Sequence, residues 1–220
     1  MQMPHPTLAA ETLLKTFGVY HLTRLQAEPA AKAIAEAFAK AQDRLETKLS
    51  AWDKARIAAQ AAMAVRDGED DALDTLLRRF ANVLLSKTNN NRKAPLYQRY
   101  LSDGLGPVVT APLEAEVSRV RAIVDRLGEE KDAEVSAFAP LFAVAAEKLE
   151  KAMDAHTASL AAEVSTYEMV EAEKIAWLDL YKYDHRQLSL YFHADPKRAE
   201  SFFKPAAREK RAAAPSSPAK

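Results

Sequence analysis

The spacing of apolar residues along the chain predicts long α-helices. Two segments, residues 29–66 and 140–192, contain no proline or glycine after their first residue. Their larger apolar side chains recur at spacings of four and seven, which places them on one face of a helix. The sevenfold rows are Phe38, Leu45, Trp52 and Ala59 in the first segment, and Met153, Leu160 and Tyr167 in the second. The predicted fold is all-α, an elongated antiparallel helical bundle with two long coiled-coil-like helices plus shorter helices.

Glycine and proline positions predict where these helices begin and end. Gly18 is expected to end a short N-terminal helix, and Pro29 to open the first long one, because proline tolerates the first helical position. The dipeptide Asp67-Gly68 is typical of a turn. We therefore predict a turn there, followed by a separate antiparallel helix at about residues 70–86.

A glycine- and proline-rich break at residues 103–107 divides the chain into two predicted halves. Residues 1–106 form the first helical half, with a short, a long and a shorter helix. Residues 107–203 form the second half, packed on the first as one domain. Residues 204–220 are rich in alanine, proline and serine, carry five basic residues and one acid, and are predicted to be a disordered tail. Whether the two halves arose by internal duplication is left open, because their helices follow the same order but their residues differ.

The apolar rows also predict which side chains form the core. The predicted core residues are Phe38, Leu45, Trp52, Phe80, Leu149, Leu160, Tyr167, Leu178 and Leu188. Regular spacing shows which side chains share a helix face, and a shared apolar face is normally buried against a neighbour.

Composition excludes several classes of function. The 31 basic and 31 acidic residues cancel, so the chain has no long-range attraction to polyanions. Without cysteine there is no disulfide, thiolate nucleophile or cysteine-bound metal. No apolar run reaches the roughly 20 residues of a membrane span, and the N-terminus lacks the apolar region of a secretory signal. A cytoplasmic protein without membrane partners is expected.

Motifs for enzyme chemistry are missing from the sequence. None of the five histidines follows a glutamate or aspartate by three residues, which a ferritin-like di-metal site requires. There is no His-x-x-x-His, Gly-x-Ser-x-Gly or Gly-x-Gly-x-x-Gly pattern either. We therefore expect no catalytic residues, no metal and no cofactor. The predicted function is a non-enzymatic helical-bundle scaffold or protein-interaction protein that self-associates or docks a partner through helix faces. The sequence resembles no family closely enough to transfer residues.

The densest aromatic cluster is the candidate partner interface. It comprises Trp177, Tyr181, Tyr183 and Tyr191. Tyrosine and tryptophan dominate interaction hot spots, which favours this interpretation. The same residues, packed by Phe202 and Phe203, would also form an aromatic plug at the end of the bundle, and such a plug is the more common arrangement. Both interpretations stay open.

An alternative function is a small-molecule or metal-binding helical bundle. Its candidate pocket residues are His156, Glu163 and Tyr167, which lie seven and four residues apart on one predicted helix face. A histidine at such a position is more commonly a hydrogen-bonded residue at the edge of a core.

Two basic elements are candidate polyanion contacts. They are the loop with Lys87, Arg92 and Lys93, and the tail with Lys210 and Arg211. Neither has the interleaved aromatic residues of a nucleic-acid surface. Nucleic acid binding is therefore not expected beyond weak, salt-sensitive contact through the tail.

Overall fold

A computed structural model describes residues 2–205 of the chain. The secondary structure of this range consists of helices and turns, with no strand. The helices are α1 (Ala10–Thr12), α2 (Val19–Gln26), α3 (Lys32–Lys87), α4 (Pro95–Tyr100), α5 (Gly106–Val109), α6 (Leu113–Leu127), α7 (Ala133–Ser136), α8 (Phe138–Tyr191) and α9 (Pro196–Ser201). A π-helical turn, Leu13–Gly18, joins α1 to α2, and a 3₁₀ turn, Pro29–Ala31, precedes α3. No helix in the described range is both long and apolar enough to cross a bilayer.

The two long helices, α3 and α8, contain 56 and 54 residues. They run antiparallel, because a residue further along α3 contacts a residue earlier in α8. Arg44 pairs with Glu173 at 2.8 Å, and eight residues later Trp52 packs on Tyr167 with ring centroids 5.4 Å apart. The predicted all-α antiparallel bundle with two long helices is confirmed.

The predicted turn at Asp67-Gly68 is wrong, because α3 continues through both residues. Apart from the adjoining residues and the nearby backbone of α3 itself, no atom lies within 4 Å of where a Gly68 Cβ would stand, so the glycine serves no close packing there. Glycine inside a helix costs only about 1 kcal/mol relative to alanine. That cost is small beside the burial of Leu73 and Leu77, which follow on the same helix.

Gly18 does not end the first helix either, since α2 begins at the next residue. A Cβ at Gly18 would overlap the side-chain amide of Gln42 on α3. The missing side chain therefore allows close contact between the N-terminal helix and α3, which is the role of glycine at this position.

The chain packs as two compact units, each built from parts of both long helices. The central unit is Lys54–Val164. The terminal unit is formed by the described parts of Met1–Asp53 and Ser165–Lys220. This division differs from the predicted halves, 1–106 and 107–203, because each long helix contributes one end to each unit.

Each unit has its own apolar core. In the terminal unit the largest buried side chains include Leu13, Phe17, Leu25, Phe38, Leu45, Trp177, Tyr181, Leu188, Phe202 and Phe203. In the central unit they include Leu73, Leu77, Phe80, Leu84, Tyr97, Val120, Ile123, Leu127, Phe142 and Leu149. Full burial of each such side chain stabilises the fold by roughly 1.5–3 kcal/mol.

Most of the predicted core residues are buried, but two are not. Phe38, Leu45, Phe80, Leu149, Leu178 and Leu188 are buried as predicted, and Trp52 is partly buried. The prediction is wrong for Leu160 and Tyr167, which are 44% and 46% exposed. They lie in the middle of α8, where no residue is buried between Ala152 and Val170.

The predicted disordered tail, 204–220, lies almost wholly outside the described residues. Its first residue, Lys204, is packed. The Lys204 carbonyl accepts a hydrogen bond from the Gln2 N–H at 2.8 Å, and its ammonium lies 5.1 Å from the Phe17 ring centroid. Ordered structure therefore includes Lys204, one residue beyond the predicted end of the second half.

The continuity of α3 predicts that Gly68→Ala stabilises the protein. Alanine in an open helical position should raise the free energy of unfolding by about 0.5–1 kcal/mol, measured by urea denaturation. Gly18→Ala is the matched control and should destabilise, because its Cβ meets Gln42. Destabilisation by Gly68→Ala would instead support a turn at this position.

Candidate functional site

The middle parts of both long helices are almost without buried residues. In α3, Ala59 alone is buried between Leu45 and Leu73. In α8, no residue is buried between Ala152 and Val170. The shorter helices pack against the end portions of α3 and α8, so the side chains on these middle stretches are left at the surface.

Several large apolar side chains are exposed on these stretches. Those of the central unit are Ile57, Met63, Val65, Leu160 and Val164, and those of the terminal unit are Tyr167 and Met169. Scattered apolar side chains are common on protein surfaces, but a row along one helix face is typical of an interaction site. The parts of these stretches that belong to the central unit are therefore the candidate functional site.

Helical geometry places Ile57 and Val65 on the side of α3 opposite its buried residue. Ile57, Ala61 and Val65 follow one another at four-residue spacing and so share one face of α3. The buried Ala59 lies about 200° around the helix from Ile57, on the opposite side. On α8, Leu160 and Val164 form a second four-residue pair. We call Ile57, Val65, Leu160 and Val164 the exposed apolar residues.

The predicted pocket residues do not form one site. His156 Nδ1 lies 3.1 Å from Nη1 of Arg66. Since a guanidinium only donates, Nδ1 accepts this hydrogen bond. Glu163 is partly buried in the same unit, whereas Tyr167 belongs to the terminal unit and packs on Trp52. His156 is thus the hydrogen-bonded edge residue that the more common interpretation expects.

No group of three or more histidine, aspartate or glutamate side chains in residues 2–205 is arranged to hold a metal ion. The alternative of a metal-binding bundle, with His156, Glu163 and Tyr167 as its candidate pocket, therefore gains no support from this part of the chain.

The predicted aromatic interface is divided between the core and the surface. Trp177 and Tyr181 are fully buried and stack with centroids 5.2 Å apart, so no partner reaches them in this structure. Tyr183 and Tyr191 are exposed. Tyr183 accepts a hydrogen bond from Gln187 at 2.8 Å. For the two buried rings, the plug interpretation fits the structure and the interface interpretation is corrected.

Phe203 completes this aromatic plug. Its ring packs edge-on against Tyr181 at 5.1 Å and stacks on His21 at 4.5 Å. Phe202 stacks on Phe192 at 5.6 Å. The segment that follows α9 therefore returns to the core of the terminal unit.

A buried histidine–aspartate pair lies at the centre of the terminal unit. His21 is 0% and Asp184 2% exposed, and Nε2 of His21 is 3.2 Å from Oδ2 of Asp184. The other ring nitrogen, Nδ1, donates to the Phe202 carbonyl at 3.0 Å. One further proton is therefore shared between Nε2 and Oδ2. Burial raises the pKa of Asp184, and the hydrogen bond and charge of His21 oppose that rise.

This pair is suited to structural support, not to catalysis. The imidazole is enclosed by Phe38, Tyr181 and Phe203, with centroids between 4.5 and 4.9 Å from its own. A general base must come within hydrogen-bonding reach of a substrate, and this ring has no exposed surface. Sequence reasoning missed His21, because a single histidine on a short helix carries no motif.

Gln42 connects three helical segments of the same unit. Its side-chain Nε2 donates to the Leu14 carbonyl at 3.0 Å, and its Oε1 accepts from the indole Nε1 of Trp177 at 2.7 Å. The Leu14 carbonyl also accepts from the Val19 N–H within the π-helical turn. Both ends of the amide are thus satisfied, as a buried polar group requires.

The candidate polyanion residues are only partly available. Lys87 Nζ pairs with Asp132 Oδ2 at 2.9 Å and with Glu134 Oε2 at 2.8 Å, and these carboxylates raise the lysine pKa. Arg92 and Lys93 are exposed in the loop after α3. Lys210 and Arg211 lie outside the described residues. The charge of Lys87 is therefore already compensated within the chain.

Comparison of the chain with protein-family models, with curated proteins and with solved structures gives no match. Function is therefore inferred from the geometry of the described residues.

The His21–Asp184 pair predicts that Asp184→Asn destabilises the terminal unit. Removing one partner of a buried pair typically costs about 3 kcal/mol, which thermal unfolding followed by circular dichroism would detect. Asp179→Asn is the matched control on the same helix, since Asp179 forms only an exposed pair with Lys182. An unchanged melting temperature for Asp184→Asn would contradict a supporting role for the pair.

Proposed function

We propose that this protein is a non-enzymatic helical-bundle scaffold that binds a protein partner, or a second copy of itself, through the middle stretches of α3 and α8. The observation that carries the proposal is the two pairs of exposed apolar residues, Ile57 with Val65 on α3 and Leu160 with Val164 on α8. They lie on helices whose ends are well packed, so the exposed surface is held on a stable framework.

The chemistry of this surface suits a helical partner. Apolar anchors at four-residue spacing are the pattern by which one helix packs into the groove of another. The alanines between them, such as Ala58 and Ala61, are exposed and allow close approach of a second backbone. Burial of each large apolar side chain by a partner would contribute roughly 1.5–3 kcal/mol before the costs of association.

The polar groups of the terminal unit support a scaffold and not an enzyme. The fold holds its polar side chains in hydrogen bonds within this unit: His21 bonds Asp184 and the Phe202 carbonyl, and Gln42 bonds the Leu14 carbonyl and Trp177. Their hydrogen bonds stabilise one packing arrangement. They present no reactive group to a substrate.

Light scattering coupled to size exclusion tests the proposal over a range of protein concentrations. We expect a mass above the 24.3 kDa of the single chain, or a captured partner. Leu160→Glu combined with Val164→Glu should abolish that association, because a charge in an apolar contact is left unpaired. The double substitution should change stability little, since both positions are exposed.

Ala161→Glu is the matched control, because Ala161 is an exposed neighbour outside the apolar pair. It should retain the association seen with the unsubstituted protein. A strict monomer that captures no partner at any concentration would contradict the proposal, as would an association that the double substitution leaves intact.

A further inference from the structure

Three carboxylates meet in the central unit between α3 and α6. Asp70 and Asp74 lie one turn apart on α3, and Glu116 lies in the first turn of α6. Glu116 is only 1% exposed, although its neighbours Glu114 and Ser118 are exposed. It adjoins Val117, and α6 places both residues against the core.

One oxygen of each carboxyl group is buried without a hydrogen-bond partner in the described part of the chain. These atoms are Oδ1 of Asp70, Oδ1 of Asp74 and Oε1 of Glu116. A buried carboxylate without donors is strongly disfavoured, and a protein usually avoids it by pairing the charge or neutralising it with a proton.

Glu116 and Asp70 act on each other through their carboxyl groups: a side-chain hydrogen bond between them raises the pKa of Glu116 and lowers that of Asp70. Two ionised carboxylates cannot form such a bond, because each is an acceptor only. The contact needs a proton, and Glu116 is the donor because it is the more deeply buried of the two.

Charged groups around the cluster do not replace this proton. On α3, Arg78 pairs with the other oxygen of Asp74 at 2.8 Å, and Arg66 pairs with Asp67. Asp67 and Asp71 add negative charge near Asp70.

Three basic groups of α6 and α8 are occupied elsewhere. On α6, Arg119 donates to the Pro107 carbonyl, and Arg121 pairs with Glu150 of α8. On α8, Lys151 pairs with Glu147. The helix α5 carries no charged residue. Among the described residues, the groups that act directly on Glu116 are therefore Asp70 and Asp74, both acidic.

We infer that Glu116 is a proton-binding site, and that a proton held between Glu116 and Asp70 is part of the folded packing of α3 against α6. Loss of this proton places unpaired negative charge in the contact and weakens it. The central unit thus contains a device that responds to pH.

The direction of the pH dependence follows from the environment of Glu116. Burial, and then the charges of Asp70 and Asp74, raise its pKa from 4.5 to about 7. Between these values the unfolded chain has released the proton that the folded chain retains. The stabilisation that protonated Glu116 contributes is therefore complete below pH 4.5. It declines as the pH rises from 4.5 to about 7, and it is lost above about 7.

Thermal unfolding of the full chain at a series of pH values from about 5 to about 8.5 tests the inference. Glu116→Gln imitates the protonated side chain. It should raise the melting temperature at the alkaline end and flatten the decline seen in the unsubstituted protein. Glu114→Gln, an exposed change of the same kind on the same helix, should follow the unsubstituted protein.

Asp70→Asn provides a second variant should Glu116→Gln fold poorly. An asparagine amide donates to an ionised Glu116, so the decline with pH should again be flattened. Infrared spectra of the unsubstituted protein labelled in its glutamate carboxyl groups give a direct readout. We expect the band of a protonated carboxylic acid below neutral pH and its loss at alkaline pH.

Three results would overturn the inference. The first is a decline with pH that is equally steep in Glu116→Gln, Asp70→Asn and the unsubstituted protein. The second is the lack of any protonated glutamate band below neutral pH. The third is a melting temperature at alkaline pH that magnesium or calcium chloride raises in the unsubstituted protein but not in Glu116→Gln. That result would show that the cluster holds a cation in place of a proton.

Discussion

Buried large apolar side chains are concentrated in the end portions of α3 and α8, and the shorter helices pack where these side chains lie. In α3 they occur at residues 38–45 and 73–84, and in α8 at 138–149 and 170–188. A short helix cannot bury its own apolar face without such a surface to pack on. The shorter helices therefore assemble at these four places, and the alanine-rich middle stretches receive none of them.

The two cores deal with buried polar groups in different ways. In the terminal unit the polar side chains are paired. His21 bonds Asp184 and the Phe202 carbonyl, and the Gln42 amide bonds the Leu14 carbonyl and the Trp177 indole. In the central unit, Glu116 faces two other acids and no base. A fully paired network rigidifies a core, whereas an acidic cluster makes a core sensitive to protonation. The same bundle thus combines a fixed unit with one whose stability depends on pH.

The sequence was sufficient to predict the helical class and the two long antiparallel helices, because their periodicity extends over many turns. It misplaced the breaks. Asp67-Gly68 carries a strong local turn signal, yet the preference it expresses is small beside the burial of Leu73 and Leu77 on the continuing helix. Gly18 similarly looked like a helix end, but its absent side chain makes room for Gln42.

Burial was harder to predict than helix formation. Leu160 and Tyr167 lie in the same sevenfold rows as buried residues, and spacing alone does not show whether a neighbouring helix covers a given turn. The candidate pocket of His156, Glu163 and Tyr167 was likewise inferred from spacing alone. His21 and Glu116 were missed because each is a single polar residue without a motif, and only the folded chain brings it to Asp184 or Asp70.

Amide hydrogen exchange, measured by mass spectrometry on the full chain at low and high protein concentration, tests most directly whether the middle stretches form an uncovered interaction surface. At low concentration we predict that residues 46–72 of α3 and 153–169 of α8 exchange faster than the packed ends of the same helices, since local opening exposes little apolar surface there. At high concentration the same stretches should gain protection as copies associate, or should gain it when a partner is added. Uniform protection along both long helices at low concentration would contradict this description of the molecule.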